Sequence, residues 1–163
     1  MSDTKHTLVA LVEDKPGVLN RVASLFRRRA FNIQSLAVGQ SEQPGLSRMT
    51  VVVNGDSAEV EQVRKQLDKL INVIRVTDIT EGNIVARELA LIKVNATAST
   101  RSEIIQIVDI FRANIVDVAS DSLTVEVTGD EDKVESLFEL LRSFGIKEVT
   151  RTGRVALARG GIQ

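Results

Sequence analysis

The chain has 163 residues, of which 43% are apolar and 26% charged, with a formal net charge of −1. That balance belongs to a folded chain rather than a disordered one, and it provides no basic field for nucleic acid phosphates or anionic lipid. Cysteine is absent and the aromatics are five Phe without Trp or Tyr, which excludes disulfides, thiolate metal sites and a cysteine nucleophile and leaves few stacking platforms for single strands or sugars.

Thr7 to Val12 is a short β-rich run, followed by the turn Glu13-Asp-Lys-Pro-Gly17 and a helical pattern in Val18, Val22, Leu25 and Phe26. Arg27, Arg28 and Arg29 fall where the helix should end, a solvated position in which cations complement the helix dipole. Ile33 to Val38 and Met49 to Val53 read as strands of a hairpin joined through Glu42-Gln-Pro-Gly45. Asp56 or Ser57 can cap a second helix bearing Val60, Val63, Leu67 and Leu70 on one face, and Val73 to Ile79 closes as a strand. The order is βαββαβ.

After a weak boundary at Gly82-Asn83 the order begins again. Leu89 to Val94 is a β run, and Thr100 or Ser102 opens a helix with Ile104, Ile107, Val108 and Phe111. Ile115 to Val118 and Leu123 to Val127 form a second hairpin. Gly129-Asp130 precedes a helix carrying Val134, Leu137, Phe138, Leu141 and Phe144, and Gly145 suits its C-terminal cap before a strand from Ile146 to Thr150. The fold class expected is therefore α+β, two tandem ferredoxin-like βαββαβ modules spanning residues 1–80 and 81–163, each a four-stranded antiparallel sheet with two helices on one face. The opposite face of each sheet is then bare, and pairing with another chain is the expected consequence. Val155 to Gln163 either frays or docks on a partner.

The N-terminus lacks an apolar signal core and no run of about 18 apolar residues occurs, so neither export nor a membrane span is expected and the cytoplasm is the expected location. His6 is the single histidine; without a second it centres neither a metal site nor a proton relay, and it reads as a strand-edge surface residue. Glu13-Asp14 and Asp130-Glu-Asp132 sit where acids cap orphan amides. The patterns GxGxxG, GxxxxGK[ST], GxSxG and HExxH do not occur. Small ferredoxin-like phosphatases would need an arginine in the loop after the first strand, and Glu13-Asp-Lys-Pro-Gly17 has none. Its Asp14-Lys-Pro-Gly17 segment puts a carboxylate and a bare backbone at a helix N-terminus, where unpaired amides around Gly17, Val18 and Leu19 suit a ligand carboxylate. Asp14 can accept from a ligand ammonium, and Asn32 can donate and accept, within this chain or across a dimer interface. A plain strand-to-helix connection is the competing reading.

Leu11-Val-Glu-Asp-Lys-Pro-Gly-Val-Leu-Asn-Arg-Val22, Leu25-Phe26, Arg29-Ala-Phe-Asn-Ile33, Ser35-Leu36 and Leu46-Ser-Arg-Met-Thr50 resemble the small regulatory subunit of acetolactate synthase (acetohydroxyacid synthase). Gln66-Leu-Asp-Lys-Leu70, Val73-Ile-Arg-Val76, Arg87-Glu-Leu-Ala-Leu-Ile-Lys-Val94 and Ile110-Phe-Arg112 extend the likeness over nearly the whole chain. The resemblance implies an N-terminal ACT domain that dimerises through its sheets and binds a branched-chain amino acid, usually valine, at the dimer interface, followed by a C-terminal ferredoxin-like domain. It implies a non-catalytic chain that activates a separate catalytic large subunit and makes it feedback-sensitive. Thiamine diphosphate, magnesium and FAD are expected in that partner and no cofactor in this chain. Carried over by position, the effector site is Asp14, Gly17, Val18, Leu19, Asn32 and Ile33, with no catalytic or metal-binding residue. Some members carry Asn where this chain has Asp14, which accepts but cannot donate. An ACT-type sensor acting on a different enzyme or a transcription factor, and a small ferredoxin-like hydrolase, are the alternatives.

Overall fold

The structure, a computed structural model, describes residues 4–160. The chain divides into two compact units: residues up to Val85 together with those from Gly153 onward, and Ala86–Thr152.

In the first unit, β1 (Thr4–Glu13) leads into α1 (Val18–Arg28), β2 (Ile33–Gln40), β3 (Leu46–Gly55), α2 (Ser57–Asp68) and β4 (Val73–Asp78). The sheet order is β2-β3-β1-β4, with every neighbouring pair antiparallel. β1 is central, which is why Leu8 to Val12 run apolar without alternation and are buried on both faces. Leu8, Ala10 and Val12 meet Met49, Val51 and Val53 of β3 on the face that receives Val22, Leu25 and Phe26 of α1 and Val60, Val63 and Leu67 of α2. Each of these Val, Leu, Phe and Met side chains, fully buried, contributes roughly 1.5–3 kcal/mol of transfer free energy. Asp56 caps α2, its Oδ1 accepting from the Ala58 N–H at 2.8 Å.

The second unit repeats the order with β5 (Ile84–Asn95), α3 (Arg101–Ile110), β6 (Asn114–Val118), β7 (Ser122–Gly129), α4 (Glu131–Arg142) and β8 (Ile146–Arg151), in the sheet order β6-β7-β5-β8. Its core joins Ala90, Ile92, Val94, Leu123, Val125 and Val127 to Ile104, Val108, Val134, Leu137 and Leu141. Asp130 caps α4 by accepting from the Lys133 N–H at 2.9 Å. Gly145 takes φ +97°, the left-handed conformation that ends the helix. Two tandem βαββαβ modules of the α+β class are thus the architecture.

Three expectations change. His6 is not a surface residue: it is 7% exposed, on central β1, with Nδ1 3.1 Å from Asp78 Oδ2 and Nε2 2.8 Å from Thr4 Oγ1. Its carboxylate partner Asp78 is 72 residues away in sequence, which spacing alone does not reveal. Thr100 opens α3 as expected, standing at its N-cap, with its hydroxyl accepting from the Thr97 N–H at 2.8 Å. In the first unit the sheet face away from the helices is not bare, for Thr7, Val9, Thr50 and Val52 are all buried there. The described part of the C-terminal segment does not fray, since Val155–Ala158 forms a short strand, β9, paired with β5. Residues 161–163 of that segment lie outside the described residues.

Candidate effector site

Gly17 is the N-cap of α1 at φ +84°, ψ −9°, and no side chain caps this helix end. A left-handed residue is what lets β1 fold sharply into α1, and glycine adopts it without the Cβ penalty. Nothing lies within 4 Å of the place where a Cβ would stand, so the approach to the first helical amides is open. The Val18 N–H is partly engaged, donating to Lys15 O at a long 3.4 Å. The amides that follow have no acceptor within the helix, as in any first turn, and carry the positive end of its dipole.

The turn is anchored from both sides. Asp14 N–H donates to Gly45 O at 2.9 Å, fixing it to the β2–β3 hairpin, and Glu13 N–H donates to Asn72 O at 2.8 Å, fixing it to the start of β4. Three residues that spacing did not single out complete the surroundings. The Asn72 side chain accepts from Arg21 Nη2 at 2.5 Å and donates to Glu13 Oε2 at 3.1 Å, while Lys15 Nζ pairs with Glu13 at 2.9 Å. The Lys15 contact, and then the Asn72 amide, hold the Glu13 carboxyl below its ordinary value. Arg21 was legible only as one more cation on a helix, because its partner Asn72 is 51 residues away in sequence.

Of the six positions carried over, four cluster at this helix start. Asp14 and Gly17 are exposed and Leu19 is 47% exposed, whereas the Val18 side chain belongs to the core at 3% and leaves only its amide for a ligand. Asn32 and Ile33 stand at the other end of α1: Asn32 is exposed and Ile33 packs partly on the core. An 11-residue helix is about 16 Å long, so one chain does not bring Asn32 to Gly17. Arg27, Arg28 and Arg29 are exposed at the helix end. Among the described residues no group of three or more His, Asp or Glu side chains could hold a metal ion, and no helix is long and apolar enough to cross a membrane.

The arrangement is an open helix start flanked by carboxylates and cations, suited to a small zwitterion. Comparison with known proteins gives the family. A family model described as the AHAS small subunit-like ACT domain matches residues 8–75, and one described as the small subunit of acetolactate synthase matches residues 87–160. The chain is 60% identical over 156 residues to a probable acetolactate synthase small subunit of Archaeoglobus fulgidus, covering 96% of this chain and 98% of that one. It is 57% identical over 155 residues to the acetolactate synthase small subunit of Mycolicibacterium smegmatis, covering 95% and 91%. The crystal structure of the acetolactate synthase small subunit from Thermotoga maritima superposes with a TM-score of 0.89 at 45% identity, covering 98% of this chain and 99% of that one. With both modules matched and near-complete coverage on each side, the chain belongs to the acetolactate synthase small-subunit family.

Proposed function

We propose that this chain is a non-catalytic regulatory subunit, which activates a separate acetolactate synthase catalytic chain and makes it subject to feedback inhibition by valine. The catalytic chain carries thiamine diphosphate, magnesium and FAD in this reading, and this chain carries none of them. The observation that carries it is the start of α1: a glycine at φ +84° with open space above it and no side-chain cap, in a chain of the small-subunit family. Valine's carboxylate meets the amides after Gly17, its ammonium meets Asp14, and its branched side chain lies against Leu19. Asn32 and Ile33 close the site from a second copy of the chain, which makes the working form at least a homodimer.

The test is acetolactate formation by holoenzymes reconstituted with wild-type and Gly17→Glu chains, titrated with valine, with circular dichroism as the folding control. The variant is expected to activate its partner normally while requiring at least about tenfold more valine for half inhibition, roughly 1.4 kcal/mol. An unchanged inhibition curve in a folded variant removes Gly17 from the site.

A further inference from the structure

Thr7 of β1, Val52 of β3 and Ser35 of β2 stand opposite one another in the sheet register. They form one row across three strands, on the face turned away from α1 and α2, because their neighbours Leu8, Val51 and Leu36 point into the core beneath the helices. Arg154 lies along that row. Its backbone N–H donates to Ser35 Oγ at 3.3 Å and its Nη1 donates to Thr7 Oγ1 at 3.0 Å. One residue thus ties the outer strand to the central one across Val52, which is 3% exposed. Two strand spacings are about 10 Å, a span that suits the length of an arginine.

Gly153 makes the same approach by backbone alone. A Cβ there would stand 2.7 Å from Leu36 O and 2.8 Å from Leu36 C, so any side chain would push the segment off β2. Downstream, Ala156 is buried and Arg159 N–H donates to Asn83 O at 2.8 Å. The segment is held along its length. Upstream, β8 ends at Arg151, two residues before Gly153. Ser35 and Leu36 lie just past Asn32 and Ile33, with the β2–β3 register broken between Ile33 and Ser35.

We propose that Gly153 and Arg154 are positioning residues for the effector response. They clamp the part of β2 that adjoins Asn32 and Ile33 to central β1 within the first unit, so that effector binding at Asn32 is passed on to inhibition through this clamp. The proposal rests on the effector reading above. A response of this kind needs two arrangements of which the effector favours one, and the register break in β2 beside the clamp gives that strand a place to shift.

The experiment uses holoenzymes reconstituted with full-length wild-type, Arg154→Ala, Arg154→Lys and Thr7→Val chains, comparing valine inhibition with valine binding by calorimetry on the same chains. Arg154→Ala is expected to keep its valine dissociation constant within about threefold while the valine needed for half inhibition rises at least about tenfold. Arg154→Lys, which keeps the backbone bond to Ser35 and a cation near Thr7, is expected to recover part of the inhibition. Thr7→Val removes only the hydroxyl that the guanidinium meets, and it is expected to uncouple inhibition from binding even where Arg154→Ala fails to fold. Equal valine sensitivity in wild-type, Arg154→Ala and Thr7→Val holoenzymes overturns the clamp, and so does a folded Arg154→Ala chain that loses binding and inhibition together. A wild-type holoenzyme indifferent to valine removes the effector reading itself, and the clamp with it.

Discussion

Gly17 holds a left-handed backbone with free space above it, so replacing it introduces two separable effects. Any ordinary residue there pays about 1–2 kcal/mol of backbone strain, and asparagine pays least because it tolerates that region. A glutamate adds a negative charge at the helix end, where it takes up attraction worth roughly 0.3–1 kcal/mol and repels a ligand carboxylate. Gly17→Asn is therefore expected to lose less valine affinity than Gly17→Glu and to melt no lower, which calorimetry and thermal melting of both variants measure. A second residue-scale case is Asp78. Burial would raise its carboxyl, but the Thr80 hydroxyl and amide, and then His6, outweigh burial and hold it below the ordinary value of 3.8. A carboxyl lowered in the folded state contributes stability above its unfolded pKa and loses it as pH falls through the folded value. Asp78→Asn is expected to lower the melting temperature at neutral pH, with the gap from wild type closing below about pH 4. A gap that stays constant from pH 7 to pH 3 would show that the carboxylate's charge is not what stabilises the fold.

Among the elements, the two side-chain caps differ in surroundings although both are aspartates accepting from a backbone amide, Asp56 from Ala58 and Asp130 from Lys133. At Asp130 the first turn also carries Glu131 and Asp132, whose charges still favour the helix end after the cap is gone. Asp130→Ala is expected to cost about 1 kcal/mol, and Asp56→Ala, which leaves only Glu59 in its first turn, somewhat more; urea melts of the two variants measure the difference. These helices were legible because their apolar residues recur at helical spacing and their caps stand directly before them. The strands were legible in position but not in length, since β1 and β5 run on through Lys5 and Arg87, where a charged residue interrupts the apolar run without breaking the sheet. β9 escaped notice because four residues, VALA, carry no period, and its pairing with β5 is a long-range contact. The same limit applies to the site. Gly17 and Asp14 announce themselves by turn chemistry, whereas Arg21, Asn72 and Arg154 acquire meaning only from partners 51 to 147 residues away.

For the molecule as a whole, the decisive geometry is that Gly17 and Asn32 stand at opposite ends of α1. If both touch one effector, they come from two chains, and a mixture of two defective variants has a definite outcome. Take chains carrying Gly17→Glu and chains carrying Asn32→Ala, each expected to bind valine poorly alone. In a mixed dimer with two symmetry-related sites, one site combines both substitutions and is lost. The other combines the intact Gly17 of one chain with the intact Asn32 of its partner. Random mixing makes half the dimers mixed, so about a quarter of the wild-type valine sites should return at near wild-type affinity. If instead each site lay within a single chain, every site in the mixture would carry one substitution and none would return. Calorimetry with valine on each variant alone and on the two refolded together separates these cases. Recovery of high-affinity binding only after co-refolding supports a shared site, its absence in a mixture whose dimers have demonstrably exchanged rules a shared site out, and near wild-type binding by Asn32→Ala on its own would place Asn32 outside the effector site and leave the helix start of a single chain to bind valine alone.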